Sequence, residues 1–303
     1  MEGQANVQTR GSSLKGIVTL SLMAANVVFW VSLLMLVAVA KLVVPLQAWR
    51  VVTSRWMIAI AEAWIGCNGA IFRAMGVLRP QVEGIAGLAR QEWYLVVSNH
   101  RSWVDILVLQ EAFNRRIPFL KFFLKQQLIW VPFLGLAWWA LDFPFMKRHS
   151  PAYLAQHPEA RGQDLAATRK ACERFATIPT SVMNFVEGTR FTPAKQAALR
   201  SPYRHLLPPR AGGVAFVLSA MGRMLHSIVD VTIAYRETRP TLWDLCCGRL
   251  DTVRVHVTER PIEPWTTEGD YTEDADFRAR FQQWLAGIWA EKDRRLDAMA
   301  VAP

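Results

Sequence analysis

Trp93-Tyr94-Leu95-Val96-Val97-Ser98-Asn99-His100-Arg101-Ser102-Trp103-Val104-Asp105-Ile106-Leu107-Val108-Leu109 is the stretch on which the fold turns. Trp93 to Ser98 is apolar, rich in β-formers and free of breakers, the pattern of a short buried strand. Asn99 to Ser102 reads as the turn after it, and Trp103 onward as a helix. His100 therefore stands where a strand hands over to a helix, the edge on which α/β sheets carry their working residues. Asp105 follows in the first helical turn. A carboxylate beside a histidine fixes the imidazole tautomer and stabilises the cation formed when the other nitrogen takes a proton. A second reading stands beside this one. Ser102 and Asp105 also fit a Ser-x-x-Asp capping box, in which Asp105 only satisfies backbone donors.

Outward from this stretch, short apolar strands alternate with helical patterns. Arg115–Phe123, Phe143–Met146, Ser181–Val186, Ser227–Tyr235 and Thr252–Thr258 read as strands. Leu124–Trp139 reads as a helix broken by Pro132 and Gly135, Asp164–Thr177 and Gly212–Met221 as helices, and Pro151–Gln163 and Pro193–Arg210 as loops. Phe277, Phe281, Trp284, Leu285, Ile288 and Trp289 mark one face of a final helix. This alternation predicts an α/β sandwich with a largely parallel central sheet flanked by helices.

An N-terminal segment precedes that domain. Met1–Gly16 is polar and predicted to be irregular, whereas Ile17–Ala40 holds no charge. As a helix the uncharged run reaches about 36 Å, longer than a hydrocarbon core of about 30 Å. Ala38-Val39-Ala40 resembles a signal-peptide cleavage site, but the apolar run exceeds the usual length of such a peptide. The expectation is an uncleaved anchor, with an in-plane helical hairpin as the other arrangement. Lys41, Arg50 and Arg55 follow the run, against Arg10 and Lys15 before it, so the C-terminal side is expected in the cytoplasm by a small excess of basic residues. Arg55–Leu78 reads as a second, amphipathic helix lying in the interface or packed on the first, with an ordinary core helix as the other reading. The predicted division is residues 1–80 as membrane anchor, with helices over 17–44 and 55–78, and residues 81–303 as catalytic domain.

Composition narrows the partners. The formal charge is +10, and 52% of the residues are hydrophobic, with 13 Trp. Basic charge suits an anionic partner, and Trp favours membrane interfaces. No nucleic-acid-binding motif occurs, so the apolar excess points to lipid. The four cysteines, Cys67, Cys172, Cys246 and Cys247, form neither a zinc spacing nor a disulfide framework. One His and one Asp are too few ligands for a metal, and no cofactor is expected.

A second strand-end constellation is Phe185-Val186-Glu187-Gly188-Thr189-Arg190. Gly permits a tight turn, and Arg offers a planar fork suited to phosphate. Alone, it reads equally as a surface turn with a solvated ion pair.

Together, Asn99-His100-Arg101-Ser102-Trp103-Val104-Asp105 and the downstream Glu187-Gly188-Thr189-Arg190 resemble, in order and spacing, the glycerophospholipid acyltransferase family, which includes 1-acylglycerol-3-phosphate acyltransferases. Lys125, Pro132, Gly135 and Arg148 look like its second motif. Val229–Ala234 resembles its fourth, although the usual proline is absent. Leu207-Pro208-Pro209-Arg210 and Arg239-Pro240-Thr241-Leu242, with Gly248, resemble the lysophosphatidic acid and lysocardiolipin acyltransferase branch, and a bacterial inner-membrane member in particular. The likeness covers roughly residues 82 to 262.

The resemblance implies transfer of a fatty acyl group from a thioester, acyl-coenzyme A or acyl carrier protein, to the hydroxyl of a lysophospholipid at the inner membrane. His100 would be the base and Asp105 its orienting partner. Glu187, Gly188, Thr189 and Arg190 would bind the acceptor, with Arg190 on its phosphate, and Lys125 and Arg148 would add positive charge. Backbone amides at the helix start after His100 are a candidate oxyanion site. A membrane-anchored thioesterase or lipid hydrolase would use the same His-Asp pair on water.

Overall fold

The structure is a computed structural model that describes residues 2–146, 173, 175–236, 240–250 and 252–301. Its centre is β2 (Tyr94–Ser98), buried along its whole length. Parallel strands flank it on both sides, β7 (Ser227–Tyr235) and β6 (Ser181–Phe185). Adding β1 (Gln81–Glu83), β3 (Leu120–Phe122) and β8 (Val253–Arg260) gives a six-stranded sheet of order β1-β8-β7-β2-β6-β3. Every pairing is parallel except β7 with β8. The sandwich with a largely parallel sheet is thus the observed architecture.

Continuous apolar strands need cover on both faces. On one face, Val96, Val229, Val231 and Ile233 pack against Val104, Val108 and Leu109 of α3 (Val104–Phe113). On the other, Leu95, Val97 and Ile228 meet two later helices, α6 (Ala211–Met221) and α9 (Ala275–Val301). Phe281, Leu285 and Trp289, expected on the buried face of the final helix, are all in that core.

Some elements depart from the sequence reading. The strand expected over Arg115–Phe123 shrinks to Leu120–Phe122, because Arg115 leaves α3 with φ 60 and turns occupy the residues up to Pro118. Leu124 and Lys125 form β4, which pairs with β5 (Phe145–Met146) in a separate ribbon. The broken helix after it splits into a 3₁₀ turn, Gln126–Trp130, and α4 (Leu134–Ala140). Gly135 is required at that junction, since a Cβ there would lie 2.0 Å from the Ile129 carbonyl oxygen. The loop Pro193–Arg210 contains a short helix, α5 (Pro193–Ala198), opened by Pro at its first turn and capped by Thr192, which accepts from the Lys195 amide. Another unexpected helix, α7 (Leu242–Cys246), begins with a Thr241–Asp244 capping box. A one-turn helix, α8 (Trp265–Glu268), precedes α9. Arg148, Cys172, the loop Pro151–Gln163 and most of the helix expected over Asp164–Thr177 lie outside the described residues.

The N-terminal segment is a helical hairpin. α1 (Glu2–Val43) begins well before the uncharged run, so the polar start is helical rather than irregular. α2 (Gln47–Met75) likewise starts earlier than expected. Asn26, the strongly polar residue of the uncharged run, donates to Asn68 Oδ1 at 2.9 Å and to the Trp64 carbonyl at 3.2 Å. Leu34, Ala38, Met57 and Ala61 then pack on Phe119, Leu141 and Phe143, tying the hairpin to the sheet domain. Among the described residues, Ser12–Val43 is the one helical stretch long and apolar enough to cross a membrane. Much of its apolar surface is uncovered, including Phe29, Leu36 and Leu42. A second uncovered stripe runs through Trp130, Phe133, Leu136 and Trp139, with Trp130 85% exposed, while Gly135, Ala137 and Ala140 turn inward.

Candidate active site

The two sequence boxes meet because β2 and β6 are neighbours in register. Ser98 pairs with Phe185, so His100 and Glu187 lie side by side just beyond the strand ends. The His100 amide donates to Glu187 Oε1 at 2.8 Å. The Phe191 amide donates to the His100 carbonyl at 2.7 Å, closing the same junction from downstream. On the other flank, the Asn99 side chain exchanges two 2.9 Å hydrogen bonds with the Ile233 backbone. This continues the sheet pairing past the point where the β2 backbone turns away, and it pins the start of the turn.

Asp105 is 1% exposed and organises that turn. Its Oδ2 lies 2.8 Å from His100 Nδ1 and accepts from the Arg101 and Ser102 amides at 2.6 and 2.9 Å. Its Oδ1 accepts from the Tyr235 hydroxyl at 2.6 Å. Ser102 Oγ accepts from the Val104 amide at 2.8 Å. The two readings of Asp105 therefore hold together: the carboxylate that caps the start of α3 is also the partner of His100. A burial this complete is tolerable for a carboxylate because donors surround it, and the N-terminal end of α3 adds a favourable dipole. The amides of Arg101, Ser102 and Val104 are all taken, which removes them as oxyanion donors.

The His100 ring stacks on Phe185, with centroids 3.9 Å apart and planes 14° from parallel. Its side chain remains 16% exposed. With Nδ1 committed to Asp105, no described residue hydrogen-bonds Nε2.

Glu187 differs from its expected role. It is 1% exposed, and its second oxygen accepts from the Leu207 amide at 2.9 Å. Both oxygens thus hold backbone, so Glu187 fixes the His100 turn instead of facing an acceptor. Burial raises its carboxyl to about 7, against the lowering pull of the two amides and the nearby Arg101 cation. Arg101 is itself enclosed: it lies over the Phe191 ring at 4.8 Å, and burial lowers its guanidinium pKa from the ordinary value. Its Nε is buried without a hydrogen-bond partner among the described residues.

Gly188, with φ 67, reverses the direction of the chain. A Cβ there would come within 2.8 Å of Arg210 Cδ, so the glycine also makes room for that side chain. Thr189 Oγ1 accepts from Lys195 Nζ at 2.6 Å. Arg190 is exposed, its guanidinium carbon 5.6 Å from the centre of the Trp103 ring. Trp103 is exposed too, so a cation and an apolar plane stand together a few residues from His100. Lys125 is exposed on β4 in the two-stranded ribbon and shares no hydrogen bond or ion pair with the His100 cluster among the described residues.

Sequence reasoning missed Asn99, Tyr235 and Leu207 as members of this site. Tyr235 carried one faint signal, a polar aromatic at the end of an apolar strand. Leu207 acts through its backbone amide, which no side-chain pattern reveals.

Residues 79–236 match the family model described as Acyltransferase. That span covers more than half of the 303-residue chain and contains both boxes, and the chain belongs to that family. It is 28% identical over 221 residues to 1-acyl-sn-glycerol-3-phosphate acyltransferase 2 of Brassica oleracea, covering 68% of this chain and 51% of the relative. It is 26% identical over 254 residues to 1-acyl-sn-glycerol-3-phosphate acyltransferase delta of Rattus norvegicus, covering 79% of this chain and 60% of the relative. The chain spans about half the length of the curated relatives it matches. Its fold is that of the crystal structure of the 1-acyl-sn-glycerophosphate (LPA) acyltransferase PlsC from Thermotoga maritima, with a TM-score of 0.58 at 13% identity over 98% of this chain and 99% of the other.

The buried Glu187 makes a pH prediction. Its native carboxyl keeps a proton up to about 7, above the ordinary value of 4.5, so the unfolded chain ionises first as pH rises. Its contribution to stability is therefore present below about 4.5 and lost as pH climbs to about 7, a change on the order of 3 kcal/mol. Glu187→Gln removes the titration and replaces one acceptor oxygen with a donor facing an amide. Urea unfolding at pH 5 and pH 8 should show a smaller pH-dependent loss in Glu187→Gln than in the parent. Equal losses would show that Glu187 is ionised at both pH values.

Proposed function

We propose that this acyltransferase moves a fatty acyl group from a thioester, carried on coenzyme A or acyl carrier protein, to the free hydroxyl of a lysophospholipid such as 1-acylglycerol-3-phosphate. The observation that carries the proposal is the His100–Asp105 pair: Nδ1 is held at 2.8 Å by a carboxylate fixed by three further donors, while Nε2 is left to exchange a proton. Nε2 removes the acceptor hydroxyl proton as that oxygen attacks the thioester carbonyl. Asp105 stabilises the imidazolium that forms. Collapse of the tetrahedral intermediate forms the ester and breaks the C–S bond, and the departing thiolate takes the proton from Nε2. Asp105 orients His100, Glu187 holds the turn, and Arg190 beside Trp103 receives the acceptor phosphate.

His100→Ala should lower transfer by roughly 10²–10⁴-fold in a folded, membrane-associated protein. The assay follows labelled acyl donor into diacyl product with and without lysolipid. Near-normal turnover by His100→Ala would end this mechanism, and thioester loss independent of lysolipid would make the protein a hydrolase.

Arg190→Ala should weaken use of lysolipid by about one to two decades, the worth of a charge-assisted hydrogen bond to phosphate. The donor titration should change little. A shifted donor curve with an unchanged acceptor curve would move Arg190 to the donor side.

We also propose that α1 anchors the protein in a membrane, with the catalytic domain on the cytoplasmic face, and that the Trp130–Trp139 stripe dips into the same leaflet. The acceptor and product are both lipids, and an apolar stripe on the catalytic domain shortens their route to His100. Bare apolar side chains at helical spacing support this. A nitroxide on Leu136→Cys in vesicle-bound protein should meet oxygen more readily than a water-soluble nickel chelate. The same label on Arg200→Cys should show the reverse. Equal accessibility at the two sites would leave α1 as the sole membrane contact.

A further inference from the structure

The matched family region ends at residue 236, yet a helix well beyond it reaches the His100 turn through two layers of hydrogen bonds. Ala286, Trp289, Asp293 and Asp297 recur at intervals of three or four residues and share one face of α9. Each holds the segment 203–207. The Tyr203 hydroxyl donates to the Ala286 carbonyl at 3.3 Å. Asp293 accepts from the Arg204 and His205 amides, both at 2.8 Å. Asp297 Oδ1 lies 2.8 Å from His205 Nε2. The buried Trp289 indole donates to the Leu207 carbonyl at 3.1 Å.

That segment then supports the catalytic turn. The Leu207 amide donates to Glu187 Oε2, and Glu187 Oε1 holds the His100 amide. Arg101, next to His100, reaches the His205 carbonyl at 3.4 Å. The far face of the helix is fixed independently. Lys292 is buried, donating to the Val231 carbonyl and paired with Asp230, and Arg295 donates to Thr258 Oγ1 at 2.7 Å. A helix clamped to β7 and β8 is a rigid backstop, and a segment hung from it cannot drift relative to the strand ends.

We propose that Trp289 and Asp293 are positioning residues for His100, acting through the 203–207 segment and Glu187, so that α9 is part of the catalytic apparatus and not only of the core. The inference rests on the acyl-transfer reading for its kinetic consequence. Its structural consequence, the placement of His100, is measurable without turnover.

The test uses the full chain with Trp289→Phe and Asp293→Asn, and Glu291→Gln as control. Trp289→Phe keeps an aromatic ring in the core and removes the indole donor together with part of the ring's volume, so its kinetics are read per folded molecule and beside Asp293→Asn, which leaves the core volume unchanged. Glu291→Gln weakens a pair with Arg260 on the sheet side, 2.6 Å long, and leaves the 203–207 segment alone. The first two variants should lose roughly ten- to a hundredfold in kcat per folded molecule, with both KM values within about twofold. Their pH–rate profile should shift, because a displaced His100 no longer holds the same geometry with Asp105. Glu291→Gln should lower the melting temperature and keep kcat and the pH profile. The NMR resonance of the His100 ring should shift in Trp289→Phe and Asp293→Asn and stay in place in Glu291→Gln. Unchanged kcat, pH profile and His100 resonance in the first two variants would overturn the proposal. A parent chain without His100-dependent transfer would instead overturn the acyl-transfer reading, and a shifted His100 resonance would still support the link from α9.

Discussion

Asp105 is a carboxylate with almost no access to water, and the catalytic end of the sheet is arranged around its need for donors. Two come from the turn after β2, one from the His100 ring and one from Tyr235 at the far end of β7. Leaving any of them unmade would strand part of a buried charge, at a cost of the order of 1–3 kcal/mol or more. The turn therefore has little freedom. His100 presents the same ring nitrogen to Asp105 because its backbone neighbours are bonded to the same oxygen. Strand pairing supplies the rest of the constraint: β6 in register with β2 brings Glu187 to the His100 amide, and β7 on the other side brings both Tyr235 and the Ile233 backbone that Asn99 grips.

This explains which parts were legible in the sequence. The central strands were, because a parallel strand buried on both faces is a short apolar run with little else it can be. His100 and Asp105 were, because both belong to one turn and their spacing is local. Their relation to capping was posed as a choice, and it is no choice, since one carboxylate oxygen serves ring and backbone at once. Tyr235 and Leu207 were not legible. Their places depend on strand order and on the path of a loop, and neither property is written in any local window. Glu187 was found but misread. A charged residue at a strand end resembles a substrate ligand until its burial and its two amide partners are seen. Arg115–Phe123 failed as a strand for the opposite reason: its apolar residues are real core, but the turn after α3 consumes the first of them.

The hairpin shows the same logic in an apolar setting. α1 leaves most of its apolar surface bare, and the polar Asn26 is turned toward Asn68 and the Trp64 carbonyl on α2. An amide turned onto the apolar outer face of α1 would lose these partners, so the pair also fixes the rotation of one helix on the other, at about 1 kcal/mol of interaction. Rotation in turn decides which residues remain for the sheet domain. Leu34 and Ala38 face Phe119, Leu141 and Phe143, and Lys41 reaches Asp142 at 2.7 Å. The stripe Trp130–Trp139 follows directly on that contact, so the bare faces of hairpin and stripe belong to one continuous packing unit.

The Glu187–Arg190 box then divides into two functions by backbone geometry alone. β6 delivers Glu187 inward, where burial and two amides hold it. Gly188 reverses the chain at φ 67, a conformation that costs other residues roughly 1–2 kcal/mol. Beyond that reversal the chain emerges on the exposed side, and Arg190 stands over Trp103. A side chain at position 188 would meet Arg210 as well as suffer the backbone strain, so the residue is constrained twice. The first residue of the box is thus a buried carboxyl that holds the His100 and Leu207 amides, and the last is an exposed cation. One glycine between them separates the two environments by a few ångströms of backbone, which is why a motif so short can serve the fold and the substrate together.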